Sequence, residues 1–421
     1  MNKLVVVGGG IAGVAAAYAA KRRRPSLQIT LITGRIGATS LSPGALDETP
    51  WDVVAEAEKV TGVSAAWAID PACAELLVEL GIFALKAAGR EGDPLERPLV
   101  ATTGGILRHT LAHASAILDL NRARGRTVLL PAVDRPHWDS ASLVRSLNDN
   151  AHGLRFQESA ATILRFDDES FISDLELARR FDEPERRRWL GQQLVRAKQA
   201  HPGEVAFLLG PWLGREADSI SVLEAAAGAP VGEIVAPHSG TFGVRFERAR
   251  ARLCERLAIT LSDREVASVE QEGSGLVLRG DGQTLEPDCV VLATGGLVGG
   301  GIVFSPPSFG APADGATKIG PSFELSLKGL EGAIATQHGP AFVGSAEGPV
   351  LDASAWPRGT QAGALERVGL VLEPDGSLRG FPRVFPAGDI VAGHARTMLI
   401  AARAGLLAGE RAARVLGEHA N

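Results

Sequence analysis

Cysteine is scarce in this 421-residue sequence: Cys73, Cys254 and Cys289 stand far apart and form no C-x-x-C pair. That excludes a zinc or iron–sulfur centre built from neighbouring ligands, and each thiol is expected as a small buried apolar side chain. Long hydrophobic runs are missing as well. The most apolar C-terminal segment, 397–416, is interrupted by Arg403, Glu410, Arg411 and Arg414, so any membrane contact is expected to be peripheral, on the inner face of the cytoplasmic membrane. No leader pattern precedes the first strand, and the cytoplasm is the expected compartment. Positive charge is not in excess: 43 Lys and Arg against 49 Asp and Glu leave a net −6, which argues against nucleic acid as a partner. The cluster Arg186-Arg187-Arg188 is flanked by acids and is expected as a solvated helix face. Low-complexity tracts are absent too, since the 50 glycines and 24 prolines are spread along the chain. With 45% hydrophobic residues the chain can bury a sizeable core, in two connected domains.

The N-terminus holds the strongest positive signal. An apolar strand, Leu4 to Val7, runs into Gly8-Gly9-Gly10-Ile11-Ala12-Gly13, and a second strand, Gln28 to Ile32, follows a helical stretch. In that strand–turn–helix context Gly8 permits the tight turn, Gly10 a close approach to a pyrophosphate, and Gly13 close packing of helix on strand. The helix start directs N–H groups and a positive dipole end at the phosphates. One position departs from the pattern. The end of the second strand usually carries Asp or Glu for the ribose hydroxyls, and here it is Thr33.

Further along, Thr39 to Asp47 is a loop of small and hydroxyl residues suited to ligand contact, with Ser40, Ser42 and Gly44 as candidates. Residues 50–95 read as helical, 98–103 as a strand, Gly104-Gly105 as a packing turn or a second phosphate loop, 106–122 as a helix and 127–130 as a strand. Residues 159–200 read as helical and charged, and 205–209 as a strand. An amphipathic helix over 245–257 and short strands between 259 and 285 follow. The expected class is α/β: a Rossmann-like nucleotide domain, parallel sheet plus β-meander, with an inserted α/β substrate or cap domain. The nucleotide domain is placed at 1–50, 236–300 and 381–421, and the cap at 51–235 and 301–380.

Two more strands end in small residues. Cys289 to Leu292 leads into Ala293-Thr294-Gly295-Gly296, and Val384-Phe385-Pro386 into Ala387-Gly388-Asp389, ahead of a long helix from about Thr397. A carboxylate at a strand's C-terminal end can accept hydrogen bonds from polyol hydroxyls. Together with the first glycine turn, these motifs resemble the two-dinucleotide-domain flavoproteins. The resemblance implies a flavin held by Gly8, Gly10, Gly13, Thr294, Gly295, Gly388 and Asp389, with Thr33 at the ribose; FAD is expected and FMN is possible.

A narrower resemblance, to the B-subunit family of anaerobic glycerol-3-phosphate dehydrogenase, runs through Ile32-Thr33-Gly34, 39–47, 207–214, Pro237 to Arg245 and 295–301. It implies a flavin subunit that oxidises sn-glycerol 3-phosphate to dihydroxyacetone phosphate, with catalytic and iron–sulfur partner subunits passing electrons to quinone. His394-Ala395-Arg396-Thr397 replaces a glycine-rich stretch of that family. Oxidising a secondary alcohol needs a base near the flavin, for which His238 and His394 are the candidates, and a phosphorylated substrate needs cations, for which Arg245 and Arg396 are. A non-catalytic flavin-carrying or scaffold subunit, or a fumarate-reductase-like flavoprotein acting on another small anion, are the alternatives.

Overall fold

Strands that are apolar on both faces pair in parallel and need a covering layer on each side. In the computed structural model, residues 2–46, 69–85, 97–236, 240–273, 275–305, 322–335, 368–393 and 395–418 are described. By internal contacts the chain divides into a first unit, Met1–Ala38, Thr49–Leu76 and Ala251–Asn421, and a second, Thr39–Glu48 and Leu77–Arg250.

In the first unit, β1 (Lys3–Val7) leads through helix α1 (Ile11–Arg23) to β2 (Gln28–Ile32). After β3 (Thr260–Ser262) comes an antiparallel meander of β4 (Ser268–Glu272), β5 (Gly275–Gly280) and β6 (Gln283–Leu285). Then β7 (Cys289–Leu292), β8 (Val384–Pro386) and the closing helix α2 (Met398–Glu418) follow. The sheet is parallel throughout, in the order β3-β2-β1-β7-β8.

Helix α1 is buried on every side from Ile11 to Ala20, which requires a partner layer on the face away from the sheet. That layer is α2. Gly405 and Gly409, one turn apart, lie against Ala12 and Ala16, where a β-carbon would overlap the opposing carbonyl oxygens. On the sheet's other face Val5, Val7 and Val290 pack with Val269 and Leu278 of the meander and with Ile302, Phe323, Leu330 and Leu370. The described parts of 301–380 thus share the core of the nucleotide sheet, and the expected assignment of that stretch to the cap is corrected. Their apolar side chains cover a sheet face that would otherwise meet water.

The second unit has its own parallel sheet, in the order Val231–Glu233, Val205–Leu209, Thr127–Pro131, Arg155–Ser159. Helices Ser140–Asp149, Asp174–Phe181, Pro184–Ala200 and Ser219–Ala227 accompany it. Asp139 and Ser173 cap the first two by accepting from the Ser142 and Glu176 amides. The helix expected over 106–122 does not form. Instead Leu107–His109 turns back on Leu99–Ala101 through Thr102–Gly105, and Ala112–Ala114 pairs with Ala45–Leu46 and Phe83–Ala84. Gly105, at φ +75°, makes Gly104-Gly105 a hairpin turn, so strand pairing overrides the local helical spacing.

Arg186 is not solvated either. It is 4% exposed, paired to the fully buried Glu169, and its guanidinium lies 4.2 Å from the Trp189 ring and 4.9 Å from that of Phe181. Among the described residues no helix is long and apolar enough to cross a membrane, and no cluster of His, Cys, Asp or Glu could hold a metal ion.

Because α1 and α2 touch through backbone, Gly405→Val is expected to cost about 2–3 kcal/mol. Urea unfolding measures it, and a loss below about 0.5 kcal/mol would show that the helices can separate freely.

Candidate functional site

In an open parallel sheet a ligand-binding crevice forms beyond the strands' carboxyl ends, where the strand order reverses. Here the reversal lies between β1 and β7: the chain moves from β1 outward to β2 on one side, and β7 pairs with β1 on the other. All the unit's sequence-predicted cofactor residues follow one of these strand ends.

After β1, Gly8 adopts φ +120° and lies against the Ala293 carbonyl, so that a side chain there would collide with the end of β7. A β-carbon at Gly13 would in turn overlap the Gly8 carbonyl, which brings the start of α1 tight against the turn. Gly10 is the N-cap, with extended backbone and no side-chain cap, and the first turn of α1 carries no acid. Three basic residues, Lys21, Arg22 and Arg23, complement the dipole at the far end. The turn is therefore shaped and polarised for an anion.

After β7, the Thr294 hydroxyl is buried without a hydrogen-bond partner among the described residues, a group that a polar ligand would satisfy. A β-carbon on Gly296 would stand 2.7 Å from the Asp389 carbonyl oxygen, 3.0 Å from its Cβ and 3.3 Å from Arg396 Nε. The ends of β7 and β8 and the approach to α2 thus converge on one point. Gly388, at φ +72°, turns the chain beside Ala12 of α1. Burial pushes the Asp389 carboxyl above its usual range, and the Arg396 charge pulls the other way. Arg396 is oriented by a 2.9 Å hydrogen bond from Nη2 to the Val368 carbonyl. A pyrophosphate at the glycine turn and a polyol at Asp389 fit this cradle.

At the end of β2, Thr33 donates to the Ser262 carbonyl, 2.6 Å from its amide and 3.2 Å from its hydroxyl, which keeps the hydroxyl's lone pairs able to accept. Ser40, Ser42 and Gly44 belong to the second unit. There Ser42 Oγ accepts from the Gly44 amide at 3.2 Å, and Gly44 and Ser40 pack against Phe242 and Gly243. His238 and His394 lie outside the described residues.

Arg245 proves to be a core residue. Its side chain is 3% exposed, donates to Glu233 at 2.7 and 2.9 Å, and gives Nε to the Gly214 carbonyl at 3.0 Å. Glu233 also accepts from the Leu213 amide at 2.7 Å. This bidentate pair occupies the guanidinium expected to anchor a substrate anion.

The second sheet also has a reversal, between Thr127–Pro131 and Val205–Leu209. Its own side chains fill that end. Trp138 donates from Nε1 to the Pro131 carbonyl at 2.8 Å and meets Trp212 edge-on at 5.2 Å, while Arg135 stacks 5.0 Å over Trp212. All three are buried.

Sequence reasoning missed two contributors: the support of α2 through Gly405 and Gly409, and the wedge of Gly296 between Asp389 and Arg396. Glycines four apart in a C-terminal helix and a doubled glycine after Thr294 were the available signals.

No family model matches this chain, and no curated protein does. Solved structures resemble it at low identity. A mutant form of the E. coli quinol fumarate reductase FrdA is 11% identical, with 100% of this chain and 72% of that one covered and a TM-score of 0.36. The aromatic hydroxylase CabE of angucycline biosynthesis is 12% identical, with 99% and 63% covered and a TM-score of 0.33. CtdE, solved in complex with FAD, is 11% identical, with 70% and 38% covered and a TM-score of 0.24. The chain spans 33% to 38% of the length of the peptidyl tryptophan dihydroxylase QhpG, of CtdE and of the Diels-Alderase PyrE3. The fold assignment rests on the strand order and the crevice.

Two outcomes follow from these charges. Glu233→Ala strands the buried Arg245 charge and is expected to cost about 3–5 kcal/mol, measured by denaturant unfolding; a near-neutral result would show that water reaches the pair. The raised carboxyl of Asp389 makes the folded chain bind the proton more tightly than the unfolded one, so its contribution is favourable at low pH and is lost as pH rises through the folded value. Flavin-free Asp389→Asn should therefore exceed the wild type in stability at pH 7, with the gap closing as pH falls toward the unperturbed value. A gap that widens on acidification would contradict the burial.

Proposed function

We propose that this chain is a flavin-dependent oxidoreductase that binds FAD, with FMN as the alternative. One observation carries the reading: a glycine turn, a buried hydroxyl without a partner among the described residues and a half-buried carboxylate follow the ends of β1, β7 and β8 around a single crevice. In the cradle the turn from Gly8 to Gly13 holds the pyrophosphate, Thr294 and Gly295 line the adjoining strand end, and Asp389 accepts from the ribityl hydroxyls. A bound flavin would supply an acceptor for two electrons, taken up together as a hydride.

Within that class we place the chain as the flavin subunit of an anaerobic glycerol-3-phosphate dehydrogenase, on the resemblance of its loops to the B-subunit family. The substrate carbon gives up a hydride and its hydroxyl a proton, for which His238 and His394 are the candidate acceptors. Arg396 is the remaining anchor for the phosphate. On the same resemblance electrons leave through an iron–sulfur partner toward quinone; this sequence has no cysteine cluster, so any iron–sulfur centre would sit on that partner. One observation favours a second reading, a flavin-carrying subunit without turnover: Arg245, the other expected anchor, is locked to Glu233 in the core.

Assaying the isolated flavin-loaded chain with sn-glycerol 3-phosphate and an artificial dye separates the two. Turnover supports the dehydrogenase reading; a yellow protein inert to this substrate and to other small anions supports the carrier. Asp389→Ala should lower flavin occupancy at purification about tenfold or more, as expected for losing hydrogen bonds to a charged group. Undiminished flavin absorbance in the variant would remove Asp389 from the site.

A further inference from the structure

The chain lacks an acid at the end of β2, yet the neighbouring strand supplies one at the same level. In the parallel register of β3 with β2, Thr260 pairs with Thr30, Leu261 with Leu31 and Ser262 with Ile32, so Asp263 stands beside Thr33. The two strand ends are clamped there. Thr33 donates to the Ser262 carbonyl, and a β-carbon on Gly34 would lie 2.6 Å from the Asp263 carbonyl oxygen and from the Arg264 carbonyl carbon.

Other acids close by are engaged. Glu265 is paired with Arg35 at 3.0 Å, and the Asp281 carboxylate accepts from the Glu265 amide at 2.7 Å. Asp263 is exposed at the carboxyl edge of the sheet, and no hydrogen bond or ion pair ties it down among the described residues. We propose that Asp263 is the ribose-binding carboxylate of the dinucleotide site, moved one strand outward, with the Thr33 hydroxyl beside it. The ligand class is an adenosine ribose bearing free hydroxyls, which makes the site selective for FAD over FMN. This inference rests on the flavin reading of the crevice.

Isothermal titration of the full chain stripped of flavin tests it, with FAD, FMN, ADP and the 2′-deoxy and 3′-deoxy forms of ADP as probes. Asp263→Asn should weaken FAD and ADP about tenfold or more and leave FMN unchanged, the size expected for hydrogen bonds to a charged group. The wild type should bind at least one deoxy form more weakly than ADP, and the variant should lose that discrimination. If the wild type binds FAD but Asp263→Asn binds FAD and ADP equally well, the ribose assignment falls and the flavin reading stands. If the wild type binds neither FAD nor FMN, both fall. Asp263→Glu, which keeps the charge, should restore part of the affinity; restoration by Asp263→Leu instead would overturn the carboxylate's role.

Discussion

Backbone meets backbone without intervening side chains at the carboxyl edge of the first sheet, and the rest of the unit is arranged around that contact. Gly8 lies on the Ala293 carbonyl, the start of α1 lies on Gly8, and α2 lies on α1 through Gly405 and Gly409. Each approach replaces a side-chain layer with backbone contact and so fixes where the N–H groups at the start of α1 stand relative to the strand ends. The cost is conformational, since glycine surrenders more backbone freedom than any other residue on folding. Burial of the Ala-rich α1 between two apolar layers offsets it.

Charge is handled in opposite ways by the two units. In the second, buried charges are matched inside the protein: Arg245 with Glu233, Arg186 with Glu169 and three aromatic rings. Such pairs add little net stability, but breaking one is costly, because the remaining charge is left buried without a counter-charge. In the first unit the polar groups of the crevice are left incompletely matched. The Thr294 hydroxyl has no partner among the described residues, and the Asp389 carboxyl is pushed up by burial with Arg396 as a counter-charge. Buried polar groups persist in that condition where a ligand completes them.

Much of the nucleotide fold is legible in the sequence because parallel strands are short apolar runs stopped by small residues. Leu4–Val7, Cys289–Leu292 and Val384–Pro386 all carry that mark, and each ends at the crevice. The stretch 106–122 is misleading, since its apolar spacing suits a helix while the Gly104-Gly105 turn returns the chain onto Leu99–Ala101. Arg186 and Arg245 mislead for another reason. The burial of an arginine is decided by acids 17 and 12 residues away in sequence, which no local pattern displays. Thr33 reads as a missing ribose clamp because register between β2 and β3 is a property of the sheet and not of either strand.

On the reading proposed above, the crevice beyond β1, β7 and β8 holds a flavin dinucleotide. Mass spectrometry of the cofactor released from the purified protein tests it most directly. FAD is expected, near one per chain, with the flavin absorbance of the intact protein. Protein that carries no flavin, and takes up neither FAD nor FMN on reconstitution, would contradict it.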